Sequence, residues 1–478
     1  MVKKYQILNG DVRTVLQTLP EKSVQCVVTS PPYWGLRDYG TGTWEGGDVL
    51  CQHSVGGQVA DTKWQGAITT GQRPGVDASC CKKCGARRVD NQLGLEPTPE
   101  AYVEKLVEVF REVKRVLRDD GTVWLNLGDS YASVGKWGGS SGGKNAAAKK
   151  SGAYIRQRKD WGECYRGGHS AETSGKHGPR IAAMGPMTQP NRMSIVGLKS
   201  KDLIGIPWRV AFALQADGWY LRSDIIWHKP NVMPESVTDR PTRAHEYLFL
   251  LTKSANYFYD ADAIKEPVDK GRLRSKTPLK DGGPKQFVLG NNRGGNLGDI
   301  GPATRNKRSV WRVNTQPFKG AHFATFPEKL IAPCILAGTS AHGACASCGA
   351  PWKRVVKKGA PNLEHQIACG GDATGAYTSG GIKDYESAGV QNPSAVKARI
   401  LAGMVEKKTV GWKPTCKCDP HHIARVVPCI SLDPFCGSGT TGVVALKHHQ
   451  QFIGIELNPE YADMARTRID DSIEPSLW

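Results

Sequence analysis

The chain has 478 residues, with 64 Lys and Arg against 45 Asp and Glu, a formal charge of +19 at pH 7. That length suits two or three domains, or one large domain with insertions, and no run of about eighteen apolar residues marks a membrane span. The N-terminal MVKKYQILNGD enters a strand-like pattern without the apolar stretch of a signal peptide. The expected location is therefore cytoplasmic, and the 14 cysteines read as metal ligands or buried thiols rather than disulfides.

Apolar runs alternate between strand-like and helix-like periods, which predicts an α/β sheet. A strand is expected over 4–9, a short helix over 12–19, and a strand over 24–29 that runs into Ser30-Pro31-Pro32-Tyr33. The clearest helix covers 98–117, with Pro99 in its first turn and Gly121 closing its end. A strand over 122–127 completes a first segment, 1–130, interrupted by a cysteine-containing insertion over 45–95. Residues 131–200 are rich in Gly, Ser and Lys and read as a basic loop or insertion. Residues 201–259 continue the sheet, with a helix over 202–216 and strands over 219–227 and 246–251. The stretch 260–318 is basic, Gly-rich and irregular. The last segment, 319–478, holds a helix over 327–336, a polar insertion over 340–425, then strand 429–435, helix 440–448, strand 451–457 and helix 459–470.

The charge is concentrated. Residues 131–210 hold 14 basic against 4 acidic side chains, and residues 260–320 hold 13 against 6. Two such windows in a near-neutral remainder point to a polyanionic partner, because each neutralised phosphate releases counterions. Charge alone does not separate DNA from RNA, or either from an acidic membrane.

Asp433-Pro434-Phe435-Cys436-Gly437-Ser438-Gly439-Thr440-Thr441 follows a hydrophobic strand and starts a helix. Such a turn lets a ligand approach the backbone, and a helix N-terminus favours a negative group. The spacing is neither the GxGxxG of dinucleotide enzymes nor the GxxxxGK[ST] of triphosphate loops. Glu456 ends the next strand, where a carboxylate can accept hydrogen bonds from ribose hydroxyls.

DPFCGSGTT followed by FIGIEL resembles the cofactor-binding segment of the amino-directed DNA methyltransferases, the family that methylates N4 of cytosine or N6 of adenine. The resemblance implies S-adenosylmethionine as cofactor, a Rossmann-like fold with a mixed, mostly parallel sheet, and double-stranded DNA as partner. It assigns cofactor contacts to Asp433, Phe435, Gly437, Gly439, Thr440 and Glu456. The segment AHFATFPEKL, 321–330, is similar to the family's Phe-Pro element, with Phe323 where Pro is more usual. Phe326 is therefore a candidate for packing on the cofactor, or else a core residue.

Ser30-Pro31-Pro32-Tyr33 resembles the family's catalytic tetrapeptide. An exocyclic amino nitrogen is a poor nucleophile, because its lone pair is delocalised into the ring. The Ser30 oxygen and the Pro31 carbonyl could accept its two N–H bonds and hold it in line with the methyl sulfonium. Pro32 adds stiffness, and Tyr33 offers a ring for the extruded base. A C5-directed enzyme would need a nucleophilic Cys; Cys334 and Cys429 follow prolines but read more simply as core. The catalytic strand precedes the cofactor strand, an order resembling the beta group of the family, in which the first strand lies beside the last. Asp11 would then reach the cofactor adenine. The block from Arg240 to Thr252 also resembles a family block and reads mainly as a strand. By the same resemblance 260–318 is the target-recognition region, with Arg272, Arg274, Arg305, Lys307 and Arg308. A partner restriction enzyme is not legible. Thr29 before Ser30 is similar to the cytosine-N4 form, which makes N4-methylcytosine the expected product, with N6-methyladenine as the alternative and a non-catalytic zinc-containing nucleic-acid-binding protein as a different class.

Cys51, His53, Cys81 and Cys84 form one set of soft ligands; Cys345, Cys348, Cys416 and Cys418 form another. CxxCG is a knuckle geometry, and paired knuckles suit a tetrahedral, structural Zn²⁺ in insertions with little apolar core of their own. Cys80 is an alternative to Cys81, and Cys369, His421 or His422 could enter the second set.

Overall fold

The computed structural model describes residues 4–35, 41–53, 81, 83–132, 198–267, 304–316, 325–361, 405–419 and 425–473. The chain divides into two units, one of Met1–Phe258, Ser309–Gly338 and Pro428–Trp478, the other of Tyr259–Arg308 and Thr339–Val427.

In chain order the first unit builds β1 (Tyr5–Asn9), α1 (Val12–Thr18), β2 (Val24–Thr29), α2 (Pro99–Val116), β3 (Leu117–Leu127), α3 (Ile206–Ala216) and β4 (Tyr220–His228). It continues with β5 (His245–Thr252), β6 (Val310–Arg312), α4 (Glu328–Gly338), β7 (Ile430–Asp433), α5 (Thr440–Lys447), β8 (Gln451–Glu456) and α6 (Pro459–Ser472). These eight strands form one sheet in the order β1-β8-β7-β2-β3-β5-β4-β6. Neighbours from β1 to β3 are parallel, β5 is antiparallel to both β3 and β4, and β6 is parallel to β4. The first strand does lie beside the last, with Asn9 opposite Glu456.

Every residue of β2 is buried, as expected of a strand covered on both faces. Leu106, Val109, Phe110 and Val113 of α2 pack in the same core as Val27, Leu125 and Phe249. Chain order reverses between β7 and β2: from β7 it runs outward through β8, from β2 the other way through β3. The crevice beyond the carboxyl ends of strands at such a switch point is where open α/β sheets take ligands.

Three expectations need correction. Gly121 does not close α2; Thr98 caps its start, Leu117 is its C-cap, and the chain passes straight into β3. Gly121 lies within β3, where a Cβ would stand 2.6 Å from the Leu117 side chain and 2.9 Å from the Gln25 carbonyl. α3 begins at Ile206 rather than 202, because Gly205 takes φ +77° at the cap and the preceding residues instead bond to Ala132. Finally, 310–312 is not irregular: it is the edge strand β6, with Trp311 buried.

In the second unit an antiparallel hairpin pairs Lys353–Pro361 with Val405–Lys413, and Ala344–Cys345 pairs with Val426–Val427. Arg354 lies over the Trp412 ring at 4.5 Å and bonds to the buried Asp260 at 2.9 Å.

Candidate active site

A cavity of about 320 Å³ opens beyond the carboxyl ends of β1, β2, β7 and β8. Its walls include Gly10 and Asp11 after β1, Ser30–Tyr33 after β2, the turn Pro434–Ser438 after β7, and Glu456 ending β8. Two sequence motifs some 400 positions apart thus share one cavity because β2 and β7 are adjacent parallel strands.

The glycine turn is held from below and from the side. Asp433 is buried and accepts from Thr29 Oγ1 at 2.6 Å, Thr441 Oγ1 at 2.7 Å and the Phe435 N–H at 3.1 Å. Burial nevertheless dominates and pushes its pKa up to about 6. Arg468 of α6 donates to the Ser438 carbonyl, Ser438 Oγ and Thr440 Oγ1 at 3.2, 2.9 and 2.8 Å. Gly437 has φ +51°, and a Cβ built on it would meet no atom within 4 Å, so open space lies against its backbone. Gly439, at φ +78°, caps α5, and its Cβ would stand 3.2 Å from the Ala465 backbone.

Of the residues expected to hold the cofactor, Asp11, Phe326, Phe435, Gly437, Thr440 and Glu456 line the cavity. Asp433 and Gly439 do not: the carboxylate is spent on the two threonines beneath the turn, and the glycine permits the approach of α6. Glu456 accepts the Gly437 N–H at 2.8 Å and the Asn458 N–H at 3.0 Å, while burial raises its pKa. Asp11 is partly buried, but hydrogen bonds from Arg13 outweigh that penalty and hold its pKa low.

At Ser30-Pro31-Pro32-Tyr33 the hydroxyls form a chain. Ser30 Oγ donates to the Tyr33 hydroxyl at 3.4 Å, and Tyr33 donates to Glu246 Oε2 at 2.8 Å with Asn126 Oδ1 at 3.1 Å. Glu246 is ion-paired with Lys229. Burial, then the charge of Glu246, raises the Tyr33 pKa, so the phenol stays neutral. A serine that donates to Tyr33 keeps its lone pairs for accepting. The Pro32 carbonyl is taken by the Tyr102 hydroxyl at 2.7 Å, and Pro31 lies on the cavity wall. Gly128 lets the Tyr33 ring close in, since a Cβ there would stand 2.5 Å from Cε2.

Glu246, Asn126, Arg468, Tyr461 and the wall segment Asn91-Gln92-Leu93 escaped the sequence reading. Glu246 sat within a block read mainly as a strand; the others carry no local motif.

Cys334 and Cys429 are buried, and neither lines the cavity. Cys436 does line it, but burial and then the nearby Asp433 and Glu456 charges push its thiol well above the usual range.

Each cysteine set converges. The ligand atoms of Cys51, His53, Cys81 and Cys84 all lie within 4.8 Å of one another, as do those of Cys345, Cys348, Cys416 and Cys418. A tetrahedral Zn²⁺ with bonds near 2.3 Å sets its sulfurs about 3.8 Å apart; Cys51 and Cys81 sulfurs are 3.9 Å apart. Cys348 and Cys416 meet because they flank the base of the second unit's hairpin. The alternatives Cys80, Cys369, His421 and His422 lie outside the described residues, as do Arg272 and Arg274 and most of 131–200. In the second unit, Arg305 and Arg308 both bond Glu266 Oε1, at 2.8 and 2.5 Å.

Sheet order, switch-point cavity and glycine turn together make this a Rossmann-like methyltransferase fold. The N6/N4 family of DNA methylases matches residues 24–345 and 430–467, leaving out most of the second unit's later segment. Type II methyltransferase M.Cfr9I of Citrobacter freundii is 35% identical over 463 residues, which cover 97% of this chain and 87% of that protein. M.XycI of Xanthomonas campestris pv. cyanopsidis gives the same identity and coverage, and M.SmaI of Serratia marcescens is 31% identical over 468 residues, 98% and 91% of the two chains. The chain belongs to the N6/N4 DNA methylase family. Among the described residues no helix is long and apolar enough to cross a membrane.

Proposed function

We propose that this protein is a Type II, S-adenosylmethionine-dependent enzyme that methylates the N4 amino group of cytosine in double-stranded DNA. The observation that carries the reading is the single cavity shared by Ser30-Pro31-Pro32-Tyr33, the glycine turn and Glu456. The cavity's donors and acceptors suit the cofactor. Open space against Gly437 admits a ligand to the backbone, the start of α5 favours its carboxylate, Glu456 accepts from its ribose, and Phe326 packs on it. Asp11 accepts from its adenine amino group. When bound, S-adenosylmethionine supplies an electrophilic methyl group.

Ser30 Oγ and the Pro31 carbonyl accept the two N–H bonds of the extruded base and orient its nitrogen. Among the described residues of the cavity wall the one thiol is that of Cys436, which burial pushes well above the usual range; this supports attack by an amino nitrogen over covalent C5 chemistry. Thr29 and Ser30 together favour cytosine. Zn²⁺ in each cysteine set holds its insertion in shape, and the basic window 260–318 contacts the duplex. The test is incorporation of labelled methyl groups into unmethylated duplex DNA, present with the wild-type protein and mostly lost in Ser30→Ala. Equal incorporation by the variant would remove the tetrapeptide from the reaction.

A further inference from the structure

The first cysteine set sits in the same unit as the cavity and leads directly into its wall. Thr43–Glu45 and Arg87–Val89 form a three-residue antiparallel ribbon, too short to hold itself together in water. The cluster closes that ribbon: Cys84 Sγ stands 3.3 Å from His53 Nδ1, Trp44 stacks on the His53 ring at 5.0 Å, and Gly47 leaves room for the Cys84 sulfur, which a Cβ would crowd at 2.7 Å. Beyond the ribbon Asp90 Oδ1 accepts from Thr41 Oγ1 at 2.9 Å and from the Gln92 N–H at 3.1 Å. Asn91, Gln92 and Leu93 then line the cavity. The next residue, Gly94, bonds the Gly35 N–H through its carbonyl at 2.8 Å. It takes φ +95° so close to the catalytic loop that a Cβ would stand 3.0 Å from the Tyr33 carbonyl.

We infer that the metal-bound cluster of Cys51, His53, Cys81 and Cys84 sets the wall of the target-base site, and that Gln92 on that wall reads the extruded base. The inference rests on the base-methylating reading given above. Gln92 is buried yet faces the cavity shared with Ser30 and Glu246. Gln92 Oε1 lies 3.5 Å from Thr41 Oγ1, whose proton goes to Asp90 Oδ1. One amide N–H donates to N3, the ring acceptor beside the amino group of cytosine, while Ser30 and the Pro31 carbonyl accept from that amino group. A carboxamide N–H is a donor, which matches the ring nitrogen left unpaired on that edge of the base.

Three proteins test this: wild type, Gln92→Glu, which keeps the shape and loses the donors, and Cys84→Ser. Metal content, Co²⁺ absorption after exchange, cofactor affinity by calorimetry, and kcat/KM for DNA are measured on each. Gln92→Glu is expected to keep its metal, to hold cofactor affinity within about twofold, and to lose about tenfold or more in kcat/KM for DNA. Cys84→Ser is expected to lose one metal equivalent and its share of the thiolate–Co²⁺ absorption, with a raised KM for DNA and near-normal cofactor affinity. Wild-type kcat/KM in Gln92→Glu would overturn the base-reading role. Full metal content in Cys84→Ser, or metal loss without a change in DNA kinetics, would overturn the link between cluster and wall. Metal content and the Co²⁺ spectrum are read without turnover, so their failure is distinct from failure of the methyltransferase reading, which would show as a wild-type protein inert on every DNA.

Discussion

Thr29 Oγ1 donates to Asp433 Oδ1 at 2.6 Å across 404 positions of sequence. One residue ends the strand that carries the catalytic tetrapeptide, the other ends the strand that carries the glycine turn. Thr441, at the start of α5, completes the clamp on the same carboxylate at 2.7 Å. The relative placement of the two motifs is therefore fixed by a buried carboxylate and two hydroxyls.

Breaking that clamp should cost stability and geometry together. Thr29→Val leaves a buried carboxylate one donor short, a loss of about 1–3 kcal/mol, read as a lower urea midpoint. Methyl transfer should fall with it. An unchanged midpoint would mean that the clamp is not strained by losing a partner.

Asp433 also gives a pH signature. Its folded pKa, about 6, lies above the usual carboxylate value, so its protonated form is favoured by folding. The stability it contributes is full below about pH 4 and is lost as pH rises through about 6. Asp119 has the opposite sign. Hydrogen bonds from Lys22 and Lys253 hold it at about 2, so its contribution is lost only as pH falls toward that value. His245 and His448, with pKa values lowered mainly by burial, act in the opposite direction between pH 5 and pH 7. The Asp433 contribution is therefore read as the fall in the urea midpoint at pH 5 relative to pH 7 on going from wild type to Asp433→Asn. Equal slopes in the two proteins would place the titration elsewhere.

The turn and its acidic neighbour make a separable prediction. Gly437→Val forces a β-branched residue to φ +51° and puts a side chain into open space where the cofactor would lie. Glu456→Ala removes the acceptor of the Gly437 N–H. Calorimetry should show cofactor affinity reduced about tenfold or more in each, and unaltered affinity in both would displace the cofactor pocket.

Much of this was legible because the signals are local. Val24–Thr29 is a continuous apolar run, DPFCGSGTT is a contiguous turn, and CxxCG announces its own geometry. What the sequence hides is tertiary. Gly121 looks like a helix stop, yet it serves the packing of Leu117. Glu246 enters the site only because β5 lies antiparallel to β3 and brings it to Asn126. Gln92 has no motif at all and reaches the cavity through a ribbon. Cys348 and Cys416 become neighbours only when the hairpin closes.

The second cluster should behave as a staple alone. Cys348→Ser is expected to lose one of about two zinc ions per chain and to lower thermal stability, leaving cofactor affinity near that of wild type. Elemental analysis and a melting curve check it; a fully metal-loaded variant would remove Cys348 from the ligand set.

Ser30→Ala should separate chemistry from cofactor binding, with a loss of about a hundredfold or more in kcat at near-constant cofactor affinity. The central claim, amino methylation of cytosine, is tested most directly by the product itself. Unmethylated duplex DNA of varied sequence is incubated with the wild-type protein and S-adenosylmethionine, digested to nucleosides, and analysed by mass spectrometry. The account predicts N4-methyldeoxycytidine, strongly reduced when Ser30→Ala replaces wild type; N6-methyldeoxyadenosine as the main product would contradict the base assignment, and no methylated nucleoside on any DNA would contradict the proposed reaction.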